Sequence, residues 1–529
     1  MVKNWIYSAL FLVILLTPAC EKDFEEINTN PFLPTQTDIG PLFNSVIESL
    51  QLGWNEQFYL HNETLYGITQ LASLTAATFQ NVSIGTEEVW TNYYQSLANI
   101  RELERRFAAY EGDPEALNNV QAMLRIVLAY KTFRLTDLFG DMPFTEAGRG
   151  FESLELTRPA FDRQEDIYKF LLNELQIAEA QINLLPEPMT ANGEPYLTYG
   201  AFDKLFNQDL LLWKKWANSL RLRHALRMSE SDPEFAFGII RDVLDNDLPL
   251  IEAGEDVVLI PDQLDWVNES VNWSFREHKK LRMGSNIWRQ LSENDAPNGS
   301  GIFDPRAHIF FETNNEGAWV AFPQIPQNNT PPAGGIPYQR HRDINFEVKG
   351  SSNIYSPFNY YLIRDEDHIP EILMTAAEVN FIKAEIYMRG LGVAVDIGNA
   401  ESEYAVGVVN SLTFWQNIFV NSEIWVNAPN PLTVSDFFNI SNHPQINIFE
   451  TSDKLAFIYR QRWLDAFRQP WEAFALGRRT GATPREGDMP EFYRFSYPAS
   501  EAENNAENWS AQVAQMGEDS PRVRVWWMN

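Results

Sequence analysis

Apolar side chains recur every three or four positions through most of the first 250 residues, and the runs start or stop at residues that cap or break helices. Leu42, Val46, Leu50 and Trp54 form one stripe; Trp90, Tyr94, Leu97, Ile100 and Leu103 form another. Asp113-Pro114-Glu115 reads as a helix start, with Asp as N-cap, Pro in the first helical position and an acidic side chain in the first turn. The helix it opens carries Val120, Leu124, Val127, Leu128, Phe133 and Leu138 and ends at Gly140. Two more helices are expected. Asp162 to Leu185 carries Ile167, Phe170, Leu171, Leu175, Ile177 and Ile182 and stops at Pro186; Asp203 to Met228 carries Leu205, Leu210, Trp213, Trp216, Leu220 and Leu226. A helix with one apolar stripe gains most of its stability by burying that stripe on a neighbour. The expected fold class is therefore mainly α, an array of antiparallel helix pairs with no strict repeat of the roughly 34-residue kind.

The pattern changes near residue 250. From Ile251 to Tyr361 the chain is rich in Gly, Pro, Asn and aromatic residues and has few helical stripes. Pro323 to Gln339 reads as loop, with a short helix at Met283 to Leu291. Helix is expected again at Thr375 to Met388, after Ala400, and from Ser452 to Leu476, and the roughly fifty C-terminal residues read as loop punctuated by Pro and Trp. Loops this long inside a folded body are usually functional.

The N-terminus carries Lys3 and then an apolar run from Trp5 to Leu16. At about 12 residues this run is too short to cross a hydrocarbon core of roughly 30 Å, and it fits the apolar region of a secretory signal. Ala19 and Cys20 follow. Cys20 is the one cysteine among 529 residues, so no intrachain disulfide can form. A thiol at the exit of such a segment is the natural acceptor for a diacylglyceryl group. The stretch resembles a bacterial lipoprotein signal, although Thr17 and Pro18 stand where the usual pattern has Leu and a small residue. Cys20 is thus the expected lipid-attachment site; the alternative is ordinary secretion with Cys20 a bystander. Glu21, Asp23, Glu25 and Glu26 resemble the acidic export tag of surface-displayed Gram-negative lipoproteins and also read as a solvated linker. A single acyl chain anchors only marginally, whereas a triacylated Cys would hold a soluble body firmly.

Composition excludes more than it assigns. Asp and Glu number 72 against 41 Lys and Arg, a net charge of −31, which repels phosphate backbones and argues against nucleic-acid binding. No nucleophile elbow, phosphate loop, dinucleotide fingerprint or zinc-protease motif is present, and no cofactor or metal is expected. Asp245-Asn246-Asp247 begins like a calcium loop, but Pro249 breaks it; Asp365-Glu366-Asp367 before His368 reads as a solvated loop. His61, His224 and His308 read as packed or surface histidines, and no carboxylate pair is singled out for glycoside hydrolysis. What stands out is a set of aromatic residues read as loop positions with amides and guanidinium groups nearby: Phe79, Trp90, Trp266, Trp273, Trp319, Tyr338 and Tyr355. Such rings cover the apolar face of a sugar while polar groups pair with its hydroxyl edge. The competing reading is that each ring packs its own loop onto the body.

Ala122 to Ala147 (AMLRIVLAYKTFRLTDLFGDMPFTEA) resembles the long helix and F-G-D-x-P turn of SusD/RagB-like nutrient-binding lipoproteins. Trp213 to Ser229, Asp304 to Arg306, Met374 to Gly390 and Arg460 to Gly481 are similar to further stretches of that family, in the same order. Ile27 to Thr35 resembles its N-terminal tether and Tyr493 to Asn505 its closing segment. The resemblance implies a degenerate tetratricopeptide-like helical superhelix with a long loop-rich middle insertion. It divides the chain into a signal peptide at 1–19, an acidic tether at 20–39 and one domain at 40–529. That domain has a helical part at 40–250, a loop-rich ligand-binding part at 251–370, and a helical part with the closing segment at 371–529. It further implies a non-enzymatic, lipid-anchored protein on the outer membrane that captures a glycan and passes it to a SusC-like TonB-dependent β-barrel. The alternatives are a peptide-capturing lid of the same family, a secreted glycoside hydrolase on a helical scaffold, and an envelope scaffold that binds only protein. The motifs themselves read as structural: Gly140 can adopt positive φ, Pro143 prevents continuation, and Arg478-Arg479 suits the negative end of a helix dipole.

Overall fold

In the computed structural model, which describes residues 39–76, 82–185, 189–260, 280–334, 353–359, 370–420, 440 and 443–528, the capped apolar stripes become helices. The first stripe divides. Helix α1 (Ile39–Glu48) ends before Gly53, and a π-helical segment (Glu56–Leu65) then runs into α2 (Tyr66–Thr69). Helix α3 spans Val82–Ala108. Asp113 accepts the N–H of Glu115 at 3.0 Å and starts a 3-10 turn that leads into α4 (Asn118–Phe139). Gly140, at φ +83°, ends α4.

The next two helices begin later than the apolar spacing predicts, because acidic side chains bind the backbone ahead of them. The Asp162 carboxylate accepts the N–H groups of Phe144 and Thr145 at 2.9 Å, so α5 starts only at Gln164 and runs to Gln181. Ile167, Leu171 and Leu175 of α5 face inward, whereas Phe170 and Ile177 of the same stripe face solvent. Asp203 accepts the N–H of Gln208 and the indole N–H of Trp213, at 2.8 and 2.9 Å, and holds a turn; α6 (Leu210–Met228) starts after it, capped by Asp209. Local side-chain bonds of this kind compete with helix. Helix α7 (Pro233–Asp245) follows. Each of α3 to α7 packs on the next, giving the up-and-down array.

Among the described residues, the loop-rich middle of the chain has short elements only. Strands β1 (Ser73–Leu74), β2 (Met142–Pro143), β3 (Phe161–Asp162), β4 (Val257–Leu259), β5 (Leu281–Arg282) and β6 (Glu371–Met374) form three antiparallel pairs, β1 with β5, β2 with β3 and β4 with β6. Helices α8 (Ser285–Leu291) and α9 (Arg306–Phe310) interrupt the loops. Helix α10 (Ala376–Arg389) is capped by Thr375, which accepts from Glu378 N–H, and closed by Gly390 at φ +67°. It packs on α11 (Ile397–Val420) and on α6. The helix expected from Ser452 to Leu476 is two helices, α12 (Lys454–Asp465) and α13 (Pro470–Thr480), because Pro470 lacks the N–H that continuation needs. The C-terminal stretch, expected as loop, contains α14 (Ala499–Asn504) and α15 (Ala506–Met516). Helix α15 fully buries only Gln512, so it has no broad apolar stripe to show in the sequence.

One hydrophobic core runs from Phe43 to Trp527, and a chain of buried charges threads it. Asp137 of α4 pairs with Arg227 of α6, which also pairs with Glu472 of α13. Arg223 of α6 and Arg462 of α12 share Glu378 of α10, each with an N···O contact of 3.0 Å. Glu385 accepts two bonds of 2.6 Å from Arg479 and one of 2.9 Å from Arg389. Burial opposes ionisation of Glu472 and Glu385, but the guanidinium groups around each outweigh it and hold both carboxyls down at about 2. Arg478 lies at the α13 C-terminus yet works by contact: it stacks on Phe474 and Trp527 and donates to the carbonyls of Asp137 and Tyr493. The Asp304–Arg306 pair is fully buried, and Arg306 also reaches Ser411 and Gln461. Among the described residues, no helix is long and apolar enough to cross a membrane.

Candidate functional site

A cleft of about 490 Å³ opens where the π-helical segment, β1, the 322–332 loop and the 485–490 loop meet. Its construction starts at α2, which ends in Gln70 at φ +58°. The Gln70 side chain donates to Glu486 O and accepts from Glu486 N–H, both at 2.8 Å, and so clamps the neighbouring loop. Arg485 is thereby held at the cleft with its guanidinium on the carbonyls of Ile68 and Asp488. Among the described residues Arg485 forms no ion pair, and burial alone lowers its pKa. Thr64, Thr75, Gln324, Gln327 and Thr330 add hydroxyl and amide groups, while Leu74, Phe322 and Pro326, Pro331, Pro332 and Pro490 give apolar faces. Ser73 donates to Gln324 at 2.6 Å and fixes the far wall. Among the described residues the lining thus combines rigid C–H surfaces, neutral polar groups and one cation without an ion pair, a set suited to a polyhydroxylated ligand.

Three of the seven aromatic candidates lie among the described residues, and all three are buried. Trp90 belongs to α3, not to a loop; its ring packs on Phe139, Tyr497 and Tyr94, and its N–H reaches Glu501 at 3.3 Å. It borders a separate groove. Trp319 stacks on Trp288 at 5.6 Å and meets the edge of His308 at 5.2 Å. Tyr355 stands behind the cleft, edge-on to Phe322, with its hydroxyl on Pro331 O at 2.9 Å. These rings shape walls and present little open face, with exposures of 4%, 8% and 5% for Trp90, Trp319 and Tyr355. Phe79, Trp266, Trp273 and Tyr338 lie outside the described residues, as do Cys20, the 1–19 leader, all but the last residue of the 20–39 tether, and Asp365 to His368. One described end of each segment that carries those four rings lies at or beside the cleft. Ala76 lines it, Lys280 accepts the N–H of Thr75 at 2.9 Å, and Ala333, just past Pro332, accepts from Ile354 at 3.2 Å.

Arg485, Gln324 and Gln327 were not singled out by the spacing of the sequence; a lone Arg in a Gly- and Pro-rich loop carries no local signal of its partners. His61 and His224 are buried, and burial lowers the pKa of each. Among the described residues no group of three or more His, Cys, Asp or Glu side chains is placed to hold a metal ion.

A SusD-like family model, described as starch-binding and associating with the outer membrane, matches residues 31–498. No protein of curated function matches the chain in sequence. Among solved structures it is similar to a chitin-binding protein at 22% identity and TM-score 0.70, over 93% of this chain and 100% of that one. A SusD homologue from Parabacteroides distasonis is 20% identical with TM-score 0.69, over 93% and 98% of the two chains. A SusD-like protein from Bacteroides thetaiotaomicron is 18% identical with TM-score 0.65, again over 93% and 98%. Likeness at these identities is likeness of fold, the mainly α tetratricopeptide-like superhelix.

Proposed function

Because the chain belongs to the SusD-like family, we propose that it captures an oligosaccharide or polysaccharide at the cell surface without cleaving it and delivers it to a SusC-like TonB-dependent β-barrel. The observation that carries this reading is the cleft at Arg485, where rigid apolar walls, neutral amides and a guanidinium with no ion pair among the described residues face one opening. A sugar ring needs that combination: C–H faces against Pro and Phe surfaces, hydroxyls on amides and on the cation. The chitin-binding and starch-binding descriptions of the similar structure and of the family support a glycan as the ligand class. Phe79, Trp266, Trp273 and Tyr338, on segments that adjoin the cleft in sequence, are proposed to complete the ring platform. In this reading 251–370 supplies one wall of the ligand site of a single 40–529 domain, with 64–76 and 485–490 supplying the others, 1–19 is removed, and acylated Cys20 with the 20–39 tether holds the domain to the outer membrane.

Titration calorimetry against a panel of polysaccharides tests the capture step. Heat with at least one glycan, unchanged glycan length after incubation, and weakening by Arg485→Ala together with Gln327→Ala are expected. Heat with peptides and none with any glycan would replace the glycan by a peptide; shortening of the glycan would make the protein a hydrolase. Labelling of cells with a fatty-acid analogue tests the anchor, and equal label in Cys20→Ala would remove it.

A further inference from the structure

A second groove, of about 650 Å³, runs between α3, the loop after β2 and the α14 helix near the C-terminus. Tyr94, half-buried, forms part of its floor, held by a bond of 2.8 Å from its hydroxyl to Pro143 O and packed on Trp90 at 5.1 Å. Pro143 and Pro159 add flat apolar surface. Two carboxylates line it together. Glu501 accepts Trp90 N–H at 3.3 Å and an N–H of Asn505 Nδ2 at 2.7 Å, and Glu87 accepts the N–H of Ser500, the residue before Glu501, at 3.5 Å. Among the described residues no Lys or Arg lines the groove, and neither carboxylate has an ion pair. This contrasts with the core of the same chain, where buried carboxylates meet guanidinium groups.

We propose that this groove is a second ligand site, for a saccharide bearing a protonated amine, with the ammonium between Glu87 and Glu501 and a ring face against Tyr94 and the two prolines. The charge decides the class. Two like charges with no countercharge disfavour a neutral or acidic guest and favour one cation, and an apolar floor favours a cation on a ring-shaped body. Burial raises the pKa of Glu501 and the Glu87 charge adds to it, a cost that a bound ammonium relieves. The site stands whether or not the Arg485 cleft binds glycan, because the two share no lining residue.

The test uses the intact chain and a β-1,4-glucosamine tetramer, compared with its fully N-acetylated counterpart, by calorimetry below the amine pKa and at two salt concentrations. The cationic tetramer is expected to bind at least about tenfold tighter than the acetylated one, as a charge-assisted bond provides, with the preference shrinking as salt rises. Glu87→Gln should abolish the preference, and Thr91→Trp, an exposed position on the groove wall, should block binding while leaving the fold intact. In an Arg485→Ala background, which disables the cleft, the Glu87-dependent preference should persist, which separates this site from the cleft. Equal affinity for the two tetramers, or a preference that survives Glu87→Gln, overturns the proposal. A lysine-rich peptide that binds with the same Glu87 dependence while the tetramer does not would also overturn it, in favour of a basic protein partner.

Discussion

At Glu472 three guanidinium groups decide the ionisation of a carboxylate that burial alone would neutralise. Breaking such a buried pair is costly because it leaves an uncompensated charge, so Glu472→Ala should lower stability by roughly 3–5 kcal/mol in denaturant titration. The folded pKa values of Glu472 and Glu385 lie near 2, below the ordinary 4.5, so both contribute stability that is present above about 4.5 and is lost as pH falls toward 2. Glu371 has the opposite sign. Burial, offset in part by Arg134 and Arg468, pushes its carboxyl up to about 7. The folded state then holds a proton that the unfolded chain has lost, and stability falls as pH rises from 4.5 through 7. Glu371→Gln should therefore raise the melting temperature relative to wild type at pH ~8 and change it little at pH ~4, the ordinary carboxylate range. A melting difference that is the same at both values would contradict that assignment.

Elements are held in place by a few residues whose partners lie far along the chain. Gly140 ends α4 at φ +83° and ψ −133°, a region open to glycine, and Gly140→Ala should cost more than about 1 kcal/mol. The turn it permits presents Asp141, which accepts the N–H of Gln164 at 2.8 Å and the Gln512 amide at 2.9 Å. One side chain thus caps α5 and docks α15. Trp527, 1% exposed, seals the same region with its indole N–H on Asp137 at 2.8 Å. Trp527→Ala should cost about 3–5 kcal/mol and loosen the last helices first, seen as faster amide exchange in α14 and α15. Thr375→Ala, which removes the α10 cap, should cost about 1 kcal/mol by the same denaturant measurement.

At the scale of the whole molecule the superhelix is a rigid frame that brings distant loops to one opening. The cleft draws on residues 64–76, 322–332 and 485–490, and its cation is positioned by Gln70, more than four hundred positions earlier. Gln70→Ala should therefore weaken glycan binding without touching the ligand, because it frees the loop that carries Arg485; unchanged affinity by calorimetry would show that the clamp is dispensable. The net charge of −31 places no general attraction for anionic polymers on this frame, so a uronic-acid glycan would depend on Arg485 and lose affinity with salt.

The amino-acid sequence alone determined the helices whose buried face repeats every three or four residues, because that spacing is imposed by the helix itself; α3 follows it closely, whereas α4 and α10 are buried on nearly every side. It also carried the order of motifs that marks the family. It did not reveal α15, whose only fully buried side chain is Gln512, or the late starts of α5 and α6, where carboxylates bind backbone that the pattern would give to helix. Only the tertiary structure decided that Asp137, Arg227 and Glu472, 90 and 245 positions apart, form one buried chain of charges. It alone packed Trp90, Trp319 and Tyr355 into walls and set the Arg485 guanidinium on the carbonyls of Ile68 and Asp488 at an opening. Whether a ring or a charge is a contact or a site depends on what faces it, and what faces it comes from elsewhere in the chain.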